Sequence, residues 1–173
     1  RRFVDIINND LANTIGNLLN RTSSMSRKWF DDKVPNNDKI TSENKLEYLS
    51  KTTVENYINK FNTYKLDQAA NEVLNLAINT NLYLNDNQPW LLIKENDKLP
   101  VVKEIIYNVL ESTRIIGLLL LPLLPELSSK INEQLGSLYK KEIPWEQQLK
   151  WGLLISNSKL PKPSPIINKL EYE

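Results

Sequence analysis

Asn17 and Arg21 lie four residues apart in the stretch "DLANTIGNLLNRTSSM" (10–25), whose apolar residues recur every three or four positions, as in an α-helix. With Leu18 at the centre of the apolar face, helical geometry places Asn17 at about −100° and Arg21 at about −60°. Lys28 falls on the same flank. The amide of Asn17 and the guanidinium of Arg21 can therefore contact one ligand.

This pair of side chains suits the edge of a pyrimidine base. An amide offers donors and an acceptor, and a guanidinium offers a rigid fork of donors. Cytosine presents its O2 and N3 acceptors beside an N4 donor, and all of these are accessible when the base is unstacked in a single-stranded loop. Solvated residues bordering a buried helix face would have the same spacing, so helix geometry permits a binding site without requiring one.

Trp90 is a second candidate for ligand contact, because it follows Pro89 where a helical pattern ends in "NDNQPWLLIKENDK". An indole ring can stack on an unpaired base, a contact worth about 1 to 3 kcal/mol, and Pro89 restricts the backbone before it. The alternative is that the ring closes one end of the hydrophobic core. The sequence leaves both interpretations open.

The residue types disfavour several kinds of catalytic site. The 173 residues include no Cys and no His, which argues against disulfides, thiolate chemistry, zinc sites and hydrolytic triads. A glycine-rich phosphate loop, a nucleophile elbow and an acidic cluster spaced for magnesium are also missing from the sequence. We expect no catalytic residue, metal or cofactor in this chain. The formal net charge of +1 means that any nucleic-acid binding rests on local charge and stacking.

Composition and periodicity favour an all-α fold. Only four glycines, with long stretches rich in Leu, Ile, Asn, Lys and Glu, are typical of helices rather than of turn-rich β-structure. We predict a bundle of about five helices from their apolar periodicity, N-caps, prolines and glycine. They are Phe3 to Phe30, a helix capped by Thr41 or Ser42, Leu66 to Leu84, Pro100 to Pro122, and a helix from Pro125 that Gly136 closes.

The bundle is expected to occupy residues 1–155, followed by a proline-rich extended strap at 156–173. The helical pattern starts without an N-cap, which suggests a fragment whose preceding segment is missing. The apolar run at 115–124 contains a proline and is shorter than the roughly 20 residues of a membrane span. We therefore expect no membrane association.

Four segments, taken in order, carry a resemblance to a known family: "NNDLANTIGNLLNRTSSM", "NLYLNDNQPW", "LLLPLLPELSSKINEQLG" and "WGLL…LPKPSPIINKLE". Together they resemble the C-terminal anticodon-binding domain of bacterial-type methionyl-tRNA synthetases, which are class I aminoacyl-tRNA synthetases. The resemblance covers nearly the whole chain. Its most specific parts are the N-D-L-x-N-x-x-G-N-L-x-x-R helix and the N-x-Y-x-x-x-x-x-P-W turn.

The resemblance implies a helical bundle that recognises the CAU anticodon of methionine tRNA within a methionine-tRNA ligase. Motif by motif, it implies that Asn17 and Arg21 lie near the first anticodon base and that Trp90 stacks on the anticodon. Lys28 and Lys94 are candidates for contacts with backbone phosphates. ATP and magnesium would belong to a catalytic domain absent from this chain, so the chain alone is not expected to activate methionine.

The expected partners are the anticodon stem-loop and, by intramolecular packing, the catalytic domain. No appended tRNA-binding barrel is present, so we expect a monomer. A neutral, cysteine-free chain suits the cytoplasm, and an organelle matrix would suit it as well. The rival hypothesis is a non-enzymatic α-helical protein-interaction module, in which Asn17, Arg21 and Trp90 border a partner groove.

Overall fold

Helices make up nearly all the regular structure in a computed structural model that describes residues 10–36 and 43–164. They are α1 (Ala12–Phe30), α2 (Lys45–Asn62), α3 (Leu66–Asn87), α4 (Pro89–Leu92), α5 (Leu99–Leu120), α6 (Pro125–Gln134) and α7 (Trp145–Gln148). Within the described residues, β-structure is limited to one isolated antiparallel bridge between Lys33 and Lys159. The all-α prediction is confirmed, with five helices of ten residues or more.

Helix α5 is the centre of the bundle. Every residue from Glu104 to Leu120 is buried, as expected for a helix that is apolar on nearly all sides. Helices α1, α2, α3, α4 and α6 all pack against it. Although apolar, neither α5 nor another helix in the described ranges is long and apolar enough to cross a membrane.

A buried ion pair on α5 holds the chain that follows α7. The Glu111 carboxylate accepts hydrogen bonds from Arg114 at 2.6 and 2.8 Å and from the backbone N–H groups of residues 152–154. Arg114 also donates to the carbonyls of Gln148 (2.6 Å) and Lys150 (2.8 Å). Because each buried charge is paired and hydrogen-bonded, its desolvation is offset. We call this pair the Glu111–Arg114 clasp.

Helix α2 begins later than predicted. Thr41 and Ser42 lie outside the described residues, and the helix is capped by Asn44, whose Oδ1 accepts from the N–H of Glu47 at 3.1 Å. The predicted cap was therefore wrong. The Asn44 amide also donates to Asn108 of α5 at 3.0 Å, a tertiary contact that sequence-local reasoning does not reveal.

The junction between α3 and α4 differs slightly from the predicted turn. Helix α3 continues past Leu84 to Asn87, and Gln88 ends it with a left-handed backbone conformation (φ 46°). Pro89 is buried and opens α4, so Trp90 lies in a short helix rather than on an open turn. This geometry turns the chain sharply and leaves Trp90 close to the end of α3.

The C-terminal strap returns to the end of α1. The N–H of Val34 donates to the carbonyl of Ser158 at 2.9 Å, and the N–H of Leu160 donates to the carbonyl of Asp32 at 2.6 Å. The Val34 and Leu160 side chains are buried in the core. After a turn at 156–157, where Asn157 has a positive φ of 63°, the strap follows an irregular course and is still docked at Ser164, which bonds to Gln134. The segment predicted after it and the start of α1 at Phe3 fall outside the described residues.

Candidate nucleic-acid interface

Two of the sequence-predicted site residues meet in the structure. The Cζ atom of Arg21, on α1, lies 5.6 Å from the ring centroid of Trp90, on α4. This distance lies within the range of a cation–π contact. Tertiary packing therefore brings the "GNLLNR" and "QPW" motifs to a single surface, although they are far apart in the sequence.

Asn85 is a third member of this cluster, and the sequence reasoning missed it. Its Oδ1 accepts a hydrogen bond from Nη2 of Arg21 at 2.9 Å. The residue lies in the "NLYLNDNQPW" segment, one turn before Pro89. Because about one residue in eight is asparagine, a single Asn carried too little signal to be selected without the fold. We call Arg21, Asn85 and Trp90 the Arg21 cluster.

A second polar contact sets the placement of α1 on α3. The amide of Asn81 donates to the carbonyl of Thr14 at 3.2 Å, one turn of α3 before Asn85. On the buried side of α1, Ile15 and Leu18 are fully enclosed. Burial of the apolar face thus fixes the rotation of α1 about its own axis. The polar flank of α1 lies along the exposed end of α3.

The remaining candidate residues are exposed. Asn17 lies one turn before Arg21, and its amide forms no hydrogen bond within the described residues. Lys28 lies in the last turn of α1, and Lys94 follows α4. Neither lysine forms an ion pair within the described part of the chain. All three side chains are available to a ligand, whereas Arg21 is half-buried.

Trp90 packs as the core-closing alternative expects, and its stacking on a base stays a prediction. Its ring packs partly against the hydrophobic core, next to the buried Pro89, and Arg21 lies over it. Core contact holds the indole in place. The ring thus closes part of the core and is partly exposed.

A cavity of about 300 Å³ lies elsewhere, between α5, α6 and the segment that precedes α7. Its lining is mainly apolar and includes Leu118, Leu121, Leu135, Leu138 and Tyr139. No member of the Arg21 cluster lines it. This cavity is therefore separate from the candidate interface.

Comparison with known families identifies the class of protein. A family model described as the anticodon binding domain of methionyl tRNA ligase matches residues 34–173. The chain belongs to this family. The match begins after α1, so Asn17 and Arg21 of this anticodon-binding domain lie outside the matched residues.

Individual relatives cover α1 as well. The domain is 36% identical to the methionine-tRNA ligase of Thermosynechococcus vestitus, over 98% of the domain and 33% of that enzyme. It is 33% identical to the methionine-tRNA ligase of Bacillus subtilis, over 99% of the domain and 26% of that enzyme. The anticodon-binding domain therefore spans about a quarter to a third of the length of these relatives.

Solved structures show the same architecture. The apo form of Mycobacterium tuberculosis methionyl-tRNA synthetase matches with a TM-score of 0.84 and 26% identity, over 98% of the domain and 34% of that chain. The form of the same synthetase bound by methionyl-adenylate matches with a TM-score of 0.83 and 28% identity, over 94% and 32%. The bundle seen here is thus the fold of the anticodon-binding region.

Proposed function

We propose that this domain recognises the CAU anticodon of methionine tRNA as part of a methionine-tRNA ligase. The observation that carries the proposal is the Arg21 cluster, in which a fork of donors, an amide and a half-buried indole meet on one surface. In a member of this family, such a surface suits an unstacked base better than it suits a protein groove.

Each candidate side chain has a distinct part in this readout. Trp90 stacks on an anticodon base, while the N–H groups of Arg21 that Asn85 does not engage donate to the O2 and N3 acceptors of cytosine. The exposed amide of Asn17, one turn away, accepts from N4. A base that stacks on the face of Trp90 beneath Arg21 displaces the guanidinium from the ring toward the base edge.

Contacts with the phosphate backbone complete the proposal. Lys28 lies two helical turns beyond Arg21 on the same flank, roughly 10 Å along the axis. Lys94 lies after α4, beyond Trp90. These two lysines would contact phosphates on either side of the bound base, which positions the RNA without reading its sequence.

The proposal extends to the organisation of the whole enzyme. Residues 1–155 form the bundle and 156–173 the strap, and the bundle packs on a catalytic part that binds ATP and magnesium. The enzyme attaches methionine to its tRNA as a cytoplasmic monomer. Support comes from the relatives, which are named methionine-tRNA ligases and are about three to four times longer than this chain.

Titration of two RNA stem-loops tests the proposal. One carries CAU, and the other has its first anticodon base changed. We expect the CAU loop to bind more tightly by about 1 to 3 kcal/mol, the worth of a good bidentate base contact. Trp90→Ala should lower affinity for both loops, whereas Arg21→Ala and Asn17→Ala should reduce the difference between them. Asn20→Ala is the control, because Asn20 is exposed on another side of α1.

Two results would overturn the proposal: equal affinity of the unmodified chain for both loops, or full affinity after Trp90→Ala. Either result would favour the protein-interaction hypothesis. The melting temperature separates binding from structure, since Asn17→Ala should change it little at an exposed position and Arg21→Ala should lower it only slightly, through loss of the contacts with Asn85 and Trp90. A large decrease would assign these side chains to the stability of the bundle instead.

A further inference from the structure

Lys33 and Lys159 face each other across the isolated antiparallel bridge that joins the end of α1 to the strap. Both side chains are exposed. The flanking residues are firmly held, since Val34 and Leu160 are buried in the core. The two lysines therefore project from a fixed piece of backbone rather than from a loose tail.

The hydrogen-bond pattern defines how close the two lysines are. The N–H of Val34 donates to the carbonyl of Ser158, and the N–H of Leu160 donates to the carbonyl of Asp32. Both hydrogen bonds join residues that flank Lys33 and Lys159 in the sequence, and neither joins the two lysines directly. Lys33 and Lys159 therefore form a non-hydrogen-bonded pair. In such pairs the Cα atoms are about 4.5 Å apart and the side chains lie close together on one face.

Two positive charges in this arrangement destabilise the pair. Neither lysine has a carboxylate within ion-pairing distance among the described residues. Asp32, the nearest acidic neighbour of Lys33 in sequence, is paired with Arg27 at 2.9 Å. The two lysines thus project from directly paired backbone positions and form no ion pair among the described residues, and an external anion bound between them would relieve their repulsion.

We propose that Lys33 and Lys159 bind a phosphate of the RNA strand beside the anticodon. The inference rests on the proposed function and extends its surface beyond the base-reading cluster. Helix α1 connects the two regions, because Arg21 and Lys28 share one flank and α1 ends three residues before Lys33. The rise from Arg21 to the end of α1 is about 14 Å, a distance that an RNA loop and its stem can span.

A phosphate within an RNA suits this pair better than a free phosphate ion. Two exposed lysines act as point charges and bind a single small anion weakly. When the same RNA is already held by the Arg21 cluster, the additional contact is intramolecular and gains from a high effective concentration. An acidic protein segment is the competing occupant, but nothing in the pair itself supplies the apolar anchor that such a partner would need.

The salt dependence of RNA binding tests this inference. Affinity of the CAU stem-loop is measured between 0.1 and 1 M salt for the unmodified chain and for Lys33→Gln/Lys159→Gln. Losing one phosphate contact should lower the slope of log K against log salt by about 1, which corresponds to about tenfold weaker binding at 0.1 M salt. The loss should be equal for the stem-loop with a changed first anticodon base, because phosphate contacts carry no sequence information.

The control is Lys65→Gln/Lys130→Gln, which removes the same charge from two exposed lysines elsewhere, Lys65 just before α3 and Lys130 on α6. An unchanged slope in Lys33→Gln/Lys159→Gln, or an equal loss in the control, would overturn the inference. A lower melting temperature in the test variant would also overturn it, since removing the repulsion should leave stability unchanged or raised. Binding of RNA without a preference for CAU would overturn the proposed function. The slope of log K against log salt would still test whether Lys33 and Lys159 contact a phosphate.

Discussion

The guanidinium of Arg21 lies over the indole ring of Trp90, with 5.6 Å between Cζ and the ring centroid. This contact joins α1 to α4, and Asn85 on α3 holds the same guanidinium from the side. Three helices thus contribute one residue each to the candidate site. The geometry of the site therefore depends on how α1, α3 and α4 pack against one another.

Removal of the Asn85 amide should loosen Arg21 without unfolding the bundle. We expect Asn85→Ala to reduce the preference for the CAU stem-loop by about 1 kcal/mol, the net worth of one hydrogen bond, with little change in melting temperature. Asn75→Ala, at another exposed position on α3, should leave the preference unchanged. An unaltered preference in Asn85→Ala would show that Asn85 does not orient Arg21.

Removal of one partner of the Glu111–Arg114 clasp should strongly destabilise the bundle. In Glu111→Ala, Arg114 remains buried without its carboxylate, and the N–H groups of residues 152–154 lose their acceptor. We expect the free energy of unfolding, measured with denaturant, to fall by about 3 to 5 kcal/mol. Lys51→Ala breaks the exposed pair with Glu47 and should cost at most about 1 kcal/mol. Similar losses of unfolding free energy in both variants would contradict the prediction that breaking a buried ion pair costs more than breaking an exposed one.

Two glycines should respond to alanine with opposite signs. A Cβ at Gly117 of α5 would lie 2.8 Å from Cγ2 of Ile131 on α6, whereas a Cβ at Gly16 of α1 meets nothing within 4 Å. Gly117→Ala should therefore destabilise the bundle by about 1 to 3 kcal/mol through overpacking. Gly16→Ala should stabilise it by up to about 1 kcal/mol through helix propensity. Thermal unfolding of the two variants checks both signs, and a stabilising Gly117→Ala would contradict the close contact between α5 and α6.

Tyr57 should make the bundle sensitive to alkaline pH. Burial raises the pKa of Tyr57 from 10.0 to about 12, so the folded state retains a proton that the unfolded state loses. Stability is therefore full below pH 10 and declines as the pH rises from about 10 to 12, by roughly 2 to 3 kcal/mol in total. Urea unfolding at a series of pH values measures this loss.

Tyr57→Phe provides the control for this titration. The Tyr57 hydroxyl has no hydrogen-bond partner within the described residues, so its removal should raise the free energy of unfolding by about 1 kcal/mol at neutral pH. The variant should also lose most of the alkaline decline. Burial raises the pKa of Tyr83 as well, so we expect a residual decline in the same direction. A decline that is unchanged in Tyr57→Phe would exclude Tyr57 as its cause.

Helix class and most helix positions were predictable from the sequence, because they depend on local patterns. Apolar spacing located α3 and α5, Pro125 located the start of α6, and Phe30 was correctly predicted as the end of α1. Gly136, predicted to close α6, has a positive φ of 99°. The predicted cap of α2 was wrong: Asn44, a residue type as suited to capping as Thr41 or Ser42, caps the helix through the N–H of Glu47 and also bonds to Asn108, far along the chain.

The sequence by itself determined the all-α class, the polar flank that carries Asn17, Arg21 and Lys28, and the resemblance that pointed to an anticodon-binding domain. Only the tertiary structure decided that Arg21 meets Trp90 and Asn85, that Glu111 clasps the chain after α7, and that Lys33 faces Lys159. The physical reason is that helical periodicity fixes the direction of a side chain around its own axis. Contacts between distant segments depend instead on how the buried faces pack against α5.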